Sequence, residues 1–313
     1  MGLAGAGLAA LAVGYGNAAP ITIAGALLMG MFGTLALIRV WAALADADRR
    51  RRAVALSEGE VAVSLAGIAT PLLIGALAGS AATWRLALAI GTATIALAVI
   101  GVLRADFPSP HPATREQTRD LRLQPTLVIV FAIVALEFAL SFWLASYLND
   151  DVGLARQTAV VLVSVLYAAN LTGRLLASRL ARTHPPEHLL FAAIGCVLAG
   201  LPCLLAATSA TAAVLGIALT GAGIGALFPL TSSLHLQTSG HTADSALGEV
   251  LTVAALGQIA GPLLAGAIAQ ASSLRVGLLV LPALTLLAAA GLTGHQRHTS
   301  NRQGHTTPAR IRG

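Results

Sequence analysis

The sequence predicts an all-α membrane protein built from two related, pseudo-symmetric helical bundles, and three observations carry that expectation. Hydrophobic residues make up 56% of the 313 positions and charged residues only 10%. A soluble domain carries about 25% charged residues, so this chain is composed for lipid. Apolar runs near the ~20 residues that a spanning helix needs recur along the whole chain. Part of the chain also repeats. Ser57–Ala78 and Gly248–Ala269 align at a shift of 191 residues with ten of 22 positions identical, including Glu58/Glu249, Pro71/Pro262 and Gly75/Gly266. The same shift lays Gly25, Leu28 and Gly30 on Gly216, Leu219 and Gly221. Two apolar helices repeated in the same order and direction indicate a duplicated bundle with parallel halves.

Helices are the open segments that cross a bilayer with every backbone group satisfied. Ten are read here. Gly2–Ala18 is short and glycine-rich, and with no basic region before it, it does not read as a signal peptide. Pro20–Leu44, Val61–Gly79 and Leu86–Leu103 complete the first half. Leu127–Leu148, Thr158–Ser178, Leu189–Ala206, Ala212–Leu234, Leu251–Ala271 and Val276–Leu292 form the second. The proline- and charge-rich stretch between them reads as a flexible linker. The expected domains are therefore a half-bundle at 1–104, a cytoplasmic linker at 105–124, a half-bundle at 125–294 and a disordered tail at 295–313. Four helices precede the linker and six follow. A complete duplication would place two more, roughly 70 residues by the length each span requires, before Met1.

Orientation follows from the arginines, because short cytoplasmic loops retain positive charge. All 19 basic residues are arginine. Counted over alternate loops, fifteen fall on one side, among them Arg49–Arg52, Arg104, Arg174, Arg179 and the tail, and three (Arg85, Arg156 and Arg275) on the other. The linker and the C-terminus are thus expected in the cytoplasm. Arginine without lysine, with abundant Ala, Gly and Leu, points to a GC-rich, bacterial genome and its cytoplasmic membrane.

Several functions are excluded or weakened. Without lysine no Walker A loop can be written, and no nucleophile elbow, HExxH or paired Cys/His ligand spacing occurs. No catalytic residue, metal or cofactor is expected, and an enzyme is not. Gly221–Ala226 imitates a dinucleotide fingerprint, but it lies inside an apolar span with no strand before it. Cys196 and Cys203 share one apolar segment and read as small packing side chains. The eight histidines are read as loop and tail residues at a soluble surface.

Three stretches carry a family resemblance. Leu44–Ala45–Asp46, the arginine loop and Ser57–Glu58 form the first. Gly173–Arg174–Leu175–Leu176–Ala177–Ser178–Arg179–Leu180–Ala181–Arg182 is the second, and Gly257–Gln258–Ile259–Ala260–Gly261–Pro262–Leu263–Leu264–Ala265–Gly266 the third. In order and spacing they resemble a major facilitator superfamily transporter running from its third to its twelfth helix. The third is similar to the Gly–Pro signature of the family's exporters. The resemblance implies a secondary transporter of a small organic solute that works by alternating access, with proton-coupled efflux expected. An uptake symporter of the same fold and a transport-inactive truncated membrane protein are the alternatives. Lipid, a small-molecule substrate and protons are the expected partners, nucleic acid is not, and the chain is read as a monomer.

The candidate transport residues are polar groups inside spans. A charge at mid-bilayer costs about 2.5–3.5 kcal/mol, so it usually faces the bundle interior or a water-filled cavity. Glu137 is such a residue, with Ser141 one turn further on the same face. It binds a proton or a cationic substrate group, or else it is a structural carboxyl. Arg39 either anchors an anionic group or snorkels to lipid headgroups. Tyr167, Asn170 and Arg174 share a face. Asn170 and Gln258 each contact substrate or join helices. Trp143 and Tyr147 read as interfacial belt residues. At the cytoplasmic helix ends, Asp46, Glu58 and Glu249 face Arg49–Arg52, Arg174 and Arg179. The resemblance implies gating pairs there, while helix N-termini favouring anions at Glu58 and Glu249 is the simpler reading. Gly173, Gly257, Gly261 and Gly266 allow close helix approach, and Pro229 and Pro262 interrupt backbone hydrogen bonds.

Overall fold

The computed structural model describes residues 2–47, 52–78, 84–104, 124–239 and 243–304. Every regular element among them is helical. The chain divides into two compact units, Met1–Arg115 and Glu116–Gly313.

The first unit holds α1 (Gly2–Tyr15), α2 (Ala19–Ala47), α3 (Arg52–Ala78) and α4 (Trp84–Arg104). Helix α1 packs on α2 and α4, and α3 packs on the same two. Arg85 Nε donates to the Gly14 carbonyl at 2.8 Å, tying the start of α4 to the end of α1.

The second unit holds α5 (Pro125–Asp150), α6 (Arg156–Leu180), α7 (Pro186–Leu205), α8 (Ala210–Thr238), α9 (Ala243–Ala271), the single turn α10 (Leu274–Gly277) and α11 (Val280–Gly304). Helix α5 is its centre, touching α6, α8, α9 and α11. It starts on Pro125, whose missing N–H costs nothing in the first turn. It stops where Gly153 adopts φ +78°, and the Leu154 N–H turns back to the Leu148 carbonyl at 3.0 Å. Ser209 and Ser273 cap α8 and α10 by accepting from the Ala212 and Val276 N–H groups.

Glycines set the closest crossings. A Cβ on Gly261 would overlap the Ala135 carbonyl of α5, and one on Gly225 the Asn170 carbonyl of α6. Lipid supplies no hydrophobic drive between helices, so dispersion at such contacts holds the bundle together.

The repeat reappears in the element bounds. Shifted by 191, α2 (19–47) falls on α8 (210–238), and α3 begins where α9 does. The packing order α1–α2–α3 has its counterpart in α7–α8–α9.

Seven helices among the described residues are long and apolar enough to span a bilayer. Gly2–Tyr15, Val61–Leu77 and Arg85–Ala98 are shorter apolar stretches. Outward faces are apolar as well: Leu8, Leu27 and Leu97 in the first unit and Leu215, Leu256 and Leu286 in the second are 58–71% exposed. A helix apolar on every side is suited to lipid.

The structure moves some element ends. Helices α3 and α9 begin well before Val61 and Leu251, because Arg52–Glu60 and Ala243–Val250 are polar yet contain no proline. Helix α11 runs to Gly304, through the start of the expected disordered tail, since no proline intervenes until Pro308. The last span is interrupted at Leu278–Leu279, which separates α10 from α11. The linker residues 105–123 lie outside the described residues.

Candidate functional site

Glu137 sits at the middle of α5, about 18 Å along it from Pro125 at 1.5 Å per residue. It is half-buried. Asn170 on α6, only 6% exposed, donates from Nδ2 to Glu137 Oε1 at 2.8 Å. At Gly225, α8 lies directly against the Asn170 backbone. Hydrogen bonds to a charged group contribute roughly 1.5–3 kcal/mol, so the amide holds the carboxylate in one orientation.

One turn beyond Glu137 a cleft of about 980 Å³ opens between α5, α6 and α9. Phe138, Ser141, Phe142 and Trp143 line it from α5, Tyr167 from α6, and Gln258, Ile259, Pro262, Leu263, Gly266 and Gln270 are among its residues from α9. Tyr167 and Ser141 bring their hydroxyls to the same cleft from α6 and α5. Trp143 Nε1 donates to the Pro262 carbonyl at 3.0 Å, and the indole lies where a Gly266 Cβ would project. The walls are thus aromatic and aliphatic, with hydroxyls and amides as polar groups and a carboxylate one turn away. Such a surface accepts an amphipathic solute by stacking and a few hydrogen bonds.

Of the residues singled out from the sequence, Glu137 and Asn170 are joined, and Ser141, Tyr167 and Gln258 line one cleft. Phe138, Phe142 and Gln270 were missed. Gln270 continues the i+4 stripe Gln258–Pro262–Gly266, a spacing visible in the sequence. Gly257, Gly261 and Gly266 all face α5, at Phe131, Ala135 and Trp143, and Gly173 faces the Ala222 carbonyl of α8. Arg174 is half-buried near the end of α6, and Arg179 is exposed. The side chains of Arg39, Asp46 and Glu58, and residues Arg49–Arg51, lie outside the described residues.

Three expectations need correction. Tyr147 is not an interfacial belt residue: it is fully buried and donates towards the Leu204 and Leu205 carbonyls at the end of α7, at 3.2 and 2.9 Å. Both carbonyls lie in the last turn of α7, and the phenol adds a hydrogen bond there. Glu249 is not at a helix N-terminus, because α9 starts at Ala243 and places it in the second turn; Glu58 likewise lies well inside α3, which starts at Arg52. The Glu249 carboxylate instead meets His235 of α8 at 3.1 Å. The histidines are not all surface residues: His235 is fully buried and His295 is 7% exposed.

Known proteins agree with this architecture. The family model described as Major Facilitator Superfamily matches residues 1–248. No curated protein matches the chain. Among solved structures, a bacterial homolog of the human lysosomal transporter Spinster, inward-facing and occupied, is similar at TM-score 0.73 and 18% identity, over 95% of this chain and 81% of that one. FucP in its outward conformation is similar at TM-score 0.61 and 14% identity, over 94% and 81%. A variant of the E. coli fucose:proton symporter FucP is similar at TM-score 0.59 and 12% identity, over 94% and 83%. With the helical bundle and its apolar exterior, the family match leads to one conclusion: this chain belongs to the major facilitator superfamily of membrane transporters.

Proposed function

We propose that the chain exports a small amphipathic organic solute by proton-coupled alternating access, and that Glu137 is the residue that gains and loses the proton. The observation that carries this reading is the Glu137–Asn170 hydrogen bond beside the cleft. A mid-span carboxyl is costly to keep in a bilayer. Held by a neutral amide, it can exist in both protonation states without leaving its place. Solute in the cleft and a proton on Glu137 then compete or cooperate through one short stretch of α5. E. coli FucP, a proton symporter by name, shares the fold, so proton coupling is compatible with it.

Ser141, Tyr167 and Gln258 would hydrogen-bond the solute, and Arg39 is the candidate anchor for any anionic group on it. The likeness of Gly257–Gly266 to the exporters' signature supports export. The arginine count supports a cytoplasmic C-terminus, and the proposal takes the chain as a monomer in a bacterial inner membrane. Asp46, Glu58 and Glu249 with Arg174 and Arg179 are the proposed cytoplasmic gating charges.

The test is solute-driven proton movement in everted membrane vesicles, with the pH gradient followed by a fluorescent amine. A panel of aromatic amphipaths, ethidium and chloramphenicol among them, is added in turn. An exporter of this kind dissipates the gradient with at least one of them. Alkalinisation that appears only in right-side-out vesicles would reverse the direction, and no response to any solute would contradict the proposal.

A further inference from the structure

We propose that His235 and Glu249 form a second proton-binding site, separate from Glu137, which ties together the ends of three helices. His235 lies in the last turns of α8 and is fully buried. Its Nε2 stands 3.1 Å from Glu249 Oε2 on α9, and its Nδ1 stands 2.7 Å from Thr126 Oγ1 on α5. The Glu249 side chain is 11% exposed, and Thr126 is 1% exposed. Thr126 and Glu137 are eleven residues apart on α5, about 16 Å along the helix. The two sites are therefore distinct.

The geometry serves both states of the ring. With a neutral imidazole, Nε2–H donates to the carboxylate and Nδ1 accepts from the threonine hydroxyl. With a protonated ring, Nδ1–H donates to that hydroxyl oxygen and the pair becomes an imidazolium–carboxylate ion pair, strengthened by the low local dielectric. A proton can thus enter or leave without breaking either contact between helices. One turn back on the same face of α8, the Thr231 hydroxyl is fully buried and has no hydrogen-bond partner. The polar lining therefore continues inward from His235.

Among the described residues, the helices around the pair carry the following titratable groups. Helix α9 carries Asp244 and Glu249, α5 carries Thr126 and no titratable residue before Glu137, and α11, which packs on both, carries the buried His295 and the exposed Arg297. Helices α6 and α7, which also pack on α8, carry Arg174 and Arg179, and Glu187 and His188, in the turns at this end.

The test is 15N-histidine NMR of the purified full chain in lipid nanodiscs, with His235→Asn assigning the signal. The His235 ring is expected to change protonation between about pH 5 and 9, and Glu249→Gln to move its midpoint at least about one pH unit lower as the counter-charge is lost. A ring that keeps one protonation state across that range would overturn the proposal, as would a midpoint unmoved by Glu249→Gln. Once the signal is assigned, the first outcome is read on the unmodified protein, so a Glu249→Gln variant that fails to fold leaves the test standing. Neither readout depends on Glu137 or on transport.

Discussion

The Asn170 amide decides how Glu137 behaves. It donates to one carboxylate oxygen at 2.8 Å and joins the carboxyl to α6. Asn170→Leu removes the donor while keeping the bulk. The pH dependence of flux is then expected to change; an unchanged profile would separate Asn170 from coupling. At this scale the sequence showed isolated polar residues better than their partners. Glu137 and Asn170 stood out against apolar neighbours, but they are 33 residues apart, and nothing in either helix alone pairs them. His235 was hidden for a different reason: it directly follows Leu234, where the apolar run ends, and so it resembled a loop residue. Tyr147 was misread because a tyrosine near a span end usually meets the interface, whereas here two carbonyls at the end of α7 claim its hydroxyl.

Between helices, backbone contact is the governing quantity. Gly261 meets the Ala135 carbonyl and Gly225 the Asn170 carbonyl so closely that a methyl group has no room. Neither obstacle is a side chain that can turn aside. Gly261→Ala is expected to destabilise by about 1–3 kcal/mol through overpacking, read as a lower melting temperature in detergent. Gly195→Ala in α7 is the control, because its Cβ would meet nothing within 4 Å, and replacing a helical glycine removes up to about 1 kcal/mol of propensity cost. Equal melting temperatures for the two variants would count against close packing as the role of Gly261. The presence and order of the helices were readable from the recurring apolar runs, although three of those runs are shorter than a span among the described residues. Their ends were less so, because hydropathy marks where lipid stops, while α3 and α9 continue as helix through polar residues that merely lack a breaker. The α6–α8 and α5–α9 crossings were foreshadowed by glycine spacing, though which helix each glycine meets required the fold.

Across the whole molecule, the 191-residue shift relates the bounds of α2 and α8 and recurs in the packing order of both units. A duplicated membrane bundle accounts for both, and the family match places the chain among transporters. The arginine asymmetry adds a topological expectation: a fluorescent protein fused after Gly313 should fluoresce, and an alkaline phosphatase fused there should be inactive. The reverse pattern would invert the proposed orientation. The central claim is that Glu137 couples solute movement to protons, and reconstituted liposomes test it most directly. With a solute identified from the vesicle panel, Glu137→Gln should lose accumulation driven by a pH gradient while retaining solute exchange at equal pH. Gradient-driven accumulation that survives Glu137→Gln at the unmodified level would contradict the account.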